Sequence, residues 1–150
     1  MGSIQRASVY ARDDGFYLAS QDRTVAGFGV VGAVTRLDAD ADESAFGAAI
    51  VSALGASRDG VPTPDRGARV AEPLVGLSSA KGWRAFAKAA RLVEVERDGG
   101  QITFERWRHS PGRTDAFEPV PGLDCEQLID ADAAAIGAVT RRLLEMEIGV

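Results

Sequence analysis

Gly27, Gly29 and Gly32 spell G-x-G-x-x-G, the pattern that cradles a dinucleotide pyrophosphate. That chemistry needs the glycines to end a strand and open a helix, whose first amides then meet the phosphates. Here Val30 to Leu37 continues as β-like sequence, and the next helical pattern starts only near Asp42. The glycines are therefore expected to relieve close packing of a strand, with no nucleotide cofactor. Ser78 and Lys81 make S-x-x-K, in which a lysine one turn away activates a serine nucleophile, but the companion S-D-N and K-T-G elements are missing. A helix-capping serine followed by a surface lysine is the expectation. Asp38, Asp40 and Asp42 have the spacing that opens a calcium loop. Glu43 stands where the turn glycine belongs, and Ala49 stands where the bidentate glutamate belongs. These acids are read as the start of a helix.

His109 is the only histidine and Cys125 the only cysteine, so clusters of either around a metal are excluded and no internal disulfide forms. No nucleophile, base and orienting group stand together around His109. Among 22 acidic residues no pair is singled out, which leaves a small enzyme with a carboxylate-based site, with Arg58 and His109 as helpers, as the alternative reading. A third reading is a nucleic-acid module in which Arg106, Trp107 and Arg108 join Trp83 and Phe86 as a stacking and cationic platform. It conflicts with a net charge of −5, and Trp83 and Phe86 are needed as the apolar face of a helix.

The elements that must position these residues follow from periodicity. Phe46, Ala49, Ile50, Ala53 and Leu54 fall on one face of a helix that Asp42 or Asp40 caps and that Pro62 and Pro64 stop, so this face must pack on a sheet. Ile4 to Ala11 and Phe16 to Ser20 flank Asp13-Asp14-Gly15 as a hairpin. Val25 to Leu37 reads as a central, partly buried strand. Ala71 to Leu77 reads as a short helix, and Ser79 to Ala90 as a longer one with Trp83, Phe86, Ala87 and Ala90 inward. Leu92 to Arg97 and Gln101 to Arg108 alternate about Asp98-Gly99-Gly100, which predicts a hairpin with Val93, Val95, Ile102 and Phe104 inward and Glu94, Glu96 and Glu105 outward. The segment 109–124 is rich in proline and glycine and reads as a loop with a short extended piece at Ala116 to Val120. A final helix from Asp130 or Asp132 to about Glu147 carries Ile136, Val139, Leu143 and Met146 at core spacing. The prediction is one α+β domain over residues 1–150, an antiparallel sheet of about five strands on helices, in the order β-β-β-α-α-β-β-α.

At 150 residues and 45% apolar composition the chain can build one core without staples. It shows no apolar run of signal-peptide or membrane-span length, and Gly2 is followed by Arg6 where a myristoylation signal wants serine or threonine. With a lone cysteine, a reducing cytoplasm is the expected location. Charge is uneven: residues 1–80 carry 7 basic and 10 acidic groups, 81–113 carry 8 and 4, and 114–150 carry 2 and 8. Acidic ends disfavour nucleic acid and favour a basic partner.

The segment Ala53 to Pro64, ALGASRDGVPTP, resembles the helix exit of immunity proteins from bacterial contact-dependent growth inhibition systems. The turn between Tyr10 and Phe16, the Lys81 to Ala90 helix, the strand pair after it and the helix near Ala133 to Glu145 lie in the same order. The resemblance implies a non-enzymatic protein that binds and neutralises the C-terminal toxin domain of its cognate effector, commonly a nuclease, without contacting nucleic acid or membrane. Nuclease clefts are basic because they attract phosphate, so acidic side chains can occupy them. On that implication the toxin-binding candidates are the run Asp38, Asp40, Asp42 and Glu43 with the helix-exit residues Arg58 and Asp59, and the loop acids Asp115, Glu118, Asp124 and Glu126. No residue is assigned a catalytic or metal-binding role, and no cofactor is expected.

Overall fold

The computed structural model describes residues 4–65 and 71–148; Gly2 lies outside them. Along the chain run β1 (Gln5–Arg12), β2 (Gly15–Thr24), β3 (Gly29–Leu37), α1 (Glu43–Gly55), β4 (Asp59–Val61), α2 (Glu72–Gly76), α3 (Trp83–Lys88), β5 (Arg91–Asp98), β6 (Gln101–His109), β7 (Phe117–Pro119), β8 (Glu126–Ile129) and α4 (Ala133–Glu145). All eight strands join one sheet with the path β3-β2-β1-β5-β6-β7, β4 lying beside β2 and β8 beside β6. Every pairing is antiparallel except β2 with β4. The α+β class is as the sequence predicts. The extra strands are short: β4 pairs with β2 at Arg23 and Thr24, beyond the reach of β1, and β7 and β8 pair with successive parts of β6.

Alternation along the strands sorts the side chains onto two faces. Ala7, Val9, Leu18, Val93, Val95, Ile102 and Phe104 point to one face and meet Phe46, Ile50 and Leu54 of α1 and Ile136, Leu143 and Leu144 of α4. Asp42 caps α1 by accepting from the Ala45 amide at 2.7 Å, and Asp132 caps α4 by accepting from Ala135 at 2.9 Å. The two helices cross backbone to backbone: a Cβ on Gly47 would sit 1.6 Å from the Ala133 oxygen, and one on Gly137 2.0 Å from the Glu43 oxygen.

On the other face Tyr10, Tyr17 and Leu92 meet Leu74 and Val75 of α2 and Phe86 of α3. Tyr10 stands edge-on to Phe86 and Phe117 at centroid distances of 5.4 and 6.0 Å, and the Arg12 guanidinium lies 4.8 Å over the Phe86 ring. These helices are short, so they cover only the end of the face where Tyr10, Leu92 and Trp107 lie. Its other half, beyond Ser8 and Glu94, stays open.

Two sequence readings change here. The strand expected at the centre from Val25 to Leu37 is an edge strand beginning at Gly29, because β2 runs on to Thr24 and residues 25–28 form the turn, with Gly27 at φ +89°. The helix expected over Ser79 to Ala90 spans only Trp83–Lys88. Gly82 is extended before it, and Ser78 accepts from the Ala80 amide at 3.1 Å instead of capping the helix.

Candidate functional site

The open half of the second face is a trough of about 460 Å³ whose floor is a cross-strand polar ladder. Gln21 on β2 donates to Ser8 Oγ on β1 at 2.9 Å, and Ser8 donates to the two carboxylate oxygens of Glu94 on β5 at 2.8 and 2.9 Å. Glu94 in turn lies directly opposite Glu105 on β6. Two acids facing each other across a ladder repel, and sheets ordinarily avoid the arrangement. Glu105 is steadied by Trp107 Nε1, which donates to it at 2.8 Å, and by the Cys125 thiol at 3.6 Å. One step along, Arg6 stands 3.9 Å from Glu96, leaving the acids in excess.

The electrostatics follow from this geometry. Burial raises the Glu94 carboxyl from 4.5 to about 7, the Ser8 hydroxyl pulls it back down, and Glu105 pushes it further up. Burial and the neighbouring Glu105 likewise hold the Cys125 thiol above its ordinary value, which keeps it a poor nucleophile. The trough thus concentrates negative potential that a basic group from outside would relieve. Beside it, the turn after β2 carries Val25 and Phe28, 74% and 65% exposed, and the Val25 amide donates to the Val61 oxygen of β4 at 3.0 Å. Apolar anchors and unbalanced charge therefore adjoin.

The residues singled out in the sequence are distributed differently. Asp38, Asp40, Asp42 and Glu43 lie exposed before and at the start of α1, whereas Arg58 and Asp59 lie after its end. The rest of α1 after Glu43, out of 13 helical residues, separates the two groups, about 18 Å at a rise of roughly 1.5 Å per residue, so they form two sites, not one. Asp42 is spent on its cap, and Asp38 pairs with Arg36 at 2.9 Å. Arg58 donates through its amide at 2.9 Å and its guanidinium at 3.1 Å to Asp22, which is 3% exposed, so its first role is to neutralise a buried acid. In the 115–126 segment Asp115 pairs with Arg113 at 3.1 Å, Glu118 with Arg108 at 3.0 Å, and Glu126 with Arg142. Asp40, Asp59 and Asp124 are exposed, and none is paired with a cation among the described residues.

The glycine pattern is in a hairpin: Gly27 is in the turn and Gly29 opens β3, while a Cβ on Gly32 would press on Ser20 Oγ at 2.5 Å and Asp22 Oδ2 at 2.7 Å. This is strand packing, not a strand-to-helix phosphate loop. His109 ends β6, stacked on Phe117 at 4.7 Å with Nε2 2.7 Å from the Ala87 oxygen. Among the described residues no three His, Cys, Asp or Glu side chains are placed to hold a metal, and no helix is long and apolar enough to cross a membrane.

No protein-family model matches the chain, and no curated protein matches it. The likeness lies in the fold, an α+β domain on one largely antiparallel sheet. A protein of unknown function from Neisseria meningitidis superposes with a TM-score of 0.76 at 19% identity, over 95% of this chain and 94% of that one. A chain of the CdiA-CT/CdiI toxin and immunity complex from Yersinia pseudotuberculosis superposes with a TM-score of 0.76 at 17% identity, over 95% of this chain and 96% of that one. The protein thus has a fold found in a CdiA-CT/CdiI toxin and immunity complex.

Proposed function

We propose that this protein is an immunity protein that binds a cognate toxin domain, a basic nuclease delivered by contact-dependent growth inhibition, in the cytoplasm, and occludes its active cleft. The observation that carries the reading is the fold shared over 95% of the chain with a member of a toxin and immunity complex. The open half-face agrees with it, since opposed Glu94 and Glu105 lower stability in isolation and are relieved by a lysine or arginine from a partner. Val25 and Phe28 supply apolar contact at one side, and the exposed Asp40, Asp59 and Asp124 add long-range attraction. The test is to co-express this protein with a candidate cognate toxin domain, sought among its gene neighbours, and score growth. Rescue by the wild type, lost in Glu94→Gln/Glu105→Gln with Val25→Ala/Phe28→Ala, is the expected result; a wild type that gives no protection refutes the reading.

A second reading is favoured by one observation, the Glu94 carboxyl near pH 7 in an open cleft, as a general acid or base requires. The stoichiometry of protection separates the two. Binding titrates toxin activity at one equivalent and leaves the toxin's mass unchanged, whereas catalysis protects at a small fraction of an equivalent.

A further inference from the structure

At the end of the sheet, where α3 hands over to β5 and the chain leaves α4, lies a second cavity of about 500 Å³ that shares no lining residue with the trough. Its polar lining is the reverse of the trough's: Lys88, Arg91, Arg106, Arg108 and His109 surround it. Arg106 matters most, because its side chain sits on the core side of β6 in line with Ile102 and Phe104 and the residue is only 7% exposed. Its Nη1 donates to the Leu92 oxygen at 3.4 Å and to the Trp107 oxygen, and its Nε has no partner. Among the described residues no carboxylate forms an ion pair with it. The Nε of Arg108 is likewise buried and unpartnered.

A buried guanidinium without a direct ion pair is costly, and its planar fork matches an oxyanion. Glu147, the one acid in the lining, pairs with Arg91 at 3.5 Å and reaches Arg106 only through its field, while Arg108 is paired outside the lining with Glu118 at 3.0 Å. The rest of the wall is apolar, with the Phe117 ring, Met146, Ile148 and Pro111. A volume of this size suits a small molecule rather than an ion alone. We infer that this cavity is a binding site for a small organic oxyanion, a phosphate or carboxylate on an apolar body, with Arg106 as its principal charge partner and Arg108 and Lys88 beside it. The site is independent of the toxin-binding reading, since it opens on a different part of the molecule and selects the opposite charge.

The probes are phenyl phosphate and benzoate, which share a ring and differ in the oxyanion, with benzyl alcohol as the uncharged control, titrated calorimetrically into the full chain. Saturable binding of one or both acids and none of the alcohol is expected; the tighter acid identifies the oxyanion. Arg106→Gln should weaken that binding at least about tenfold, the loss of one charge-assisted pair. Circular dichroism and urea unfolding verify that the variant is folded. If it is not, Lys88→Gln/Arg108→Gln decides, with at least a severalfold loss expected. Failure of both acids to saturate at about 10 mM, where even a 1 mM site would fill, overturns the inference. So does unchanged affinity in the folded variant, or equal binding of benzyl alcohol.

Discussion

Glu94 ties the chemistry of the open face to measurable behaviour. In the unfolded chain its carboxyl titrates near the ordinary 4.5, and in the folded protein near 7. Between those values the folded state holds the extra proton, so stability from this group is present at low pH and is lost as pH rises through 7. Urea unfolding at pH 5 and pH 8 should therefore show the wild type losing more stability over that interval than Glu94→Gln, which cannot ionise. Equal losses would remove Glu94 as the cause. The same linkage reaches the partner: a cation docked on Glu94 favours the ionised carboxylate, so binding near pH 6.5 should release protons and tighten as pH rises. Calorimetry in two buffers of different ionisation enthalpy reads that release directly, and its absence would mean that the partner's cation sits elsewhere.

The elements around the site differ in how far they could be read in advance. The apolar stripe of α1 was legible, and Ile50, fully buried against the sheet, should cost about 2 to 5 kcal/mol as Ile50→Ala in chemical denaturation. The β5–β6 hairpin was legible in its pairing and turn, with β5 one residue longer at each end and β6 one residue longer at its end than the alternation gave. Asp98 facing Gln101 across the two-residue turn places Glu94 opposite Glu105, so half of the trough was implicit in the alternation. What periodicity does not carry is which distant strand lies beside Glu94, or that α2 and α3 stop short of covering it; Ser8 arrives from 86 residues away. The α1–α4 crossing was hidden for a related reason, since glycine within a helix reads as a weakness. Gly47→Ala gains about 1 kcal/mol of helix propensity but drives a methyl into the Ala133 carbonyl, a backbone atom that cannot rotate away, and overpacking costs about 1 to 3 kcal/mol or more. A net loss is expected. Gly55→Ala, with nothing within 4 Å of its Cβ, should be neutral or stabilising, and the pair measured by urea unfolding tests the crossing against propensity alone.

Across the molecule, charge is segregated by place more than by amount. A net charge of −5 is modest, yet the trough presents acids on the open half-face while the Arg106 cavity gathers cations at the end of the sheet. For a basic toxin this predicts a division of labour. Exposed acids outside the trough lining, Asp40, Asp59 and Asp124, act through the long-range field, so Asp→Asn at all three should slow association with little change in dissociation. Groups that touch the partner act at short range: Glu94→Gln/Glu105→Gln and Val25→Ala/Phe28→Ala should speed dissociation. The wild type should associate at roughly 10⁸ M⁻¹s⁻¹ at low salt and fall toward about 10⁶ as screening shortens the field to within a Debye length. Stopped-flow association and dissociation of the purified toxin domain at two ionic strengths measure each term. If neutralising the three outer acids changes dissociation instead, they lie in the interface and the contact surface extends to the ends of α1 or to the segment before β8. If neither set has an effect and association is indifferent to salt, the toxin binds another face, and the opposed glutamates must be explained by chemistry of their own.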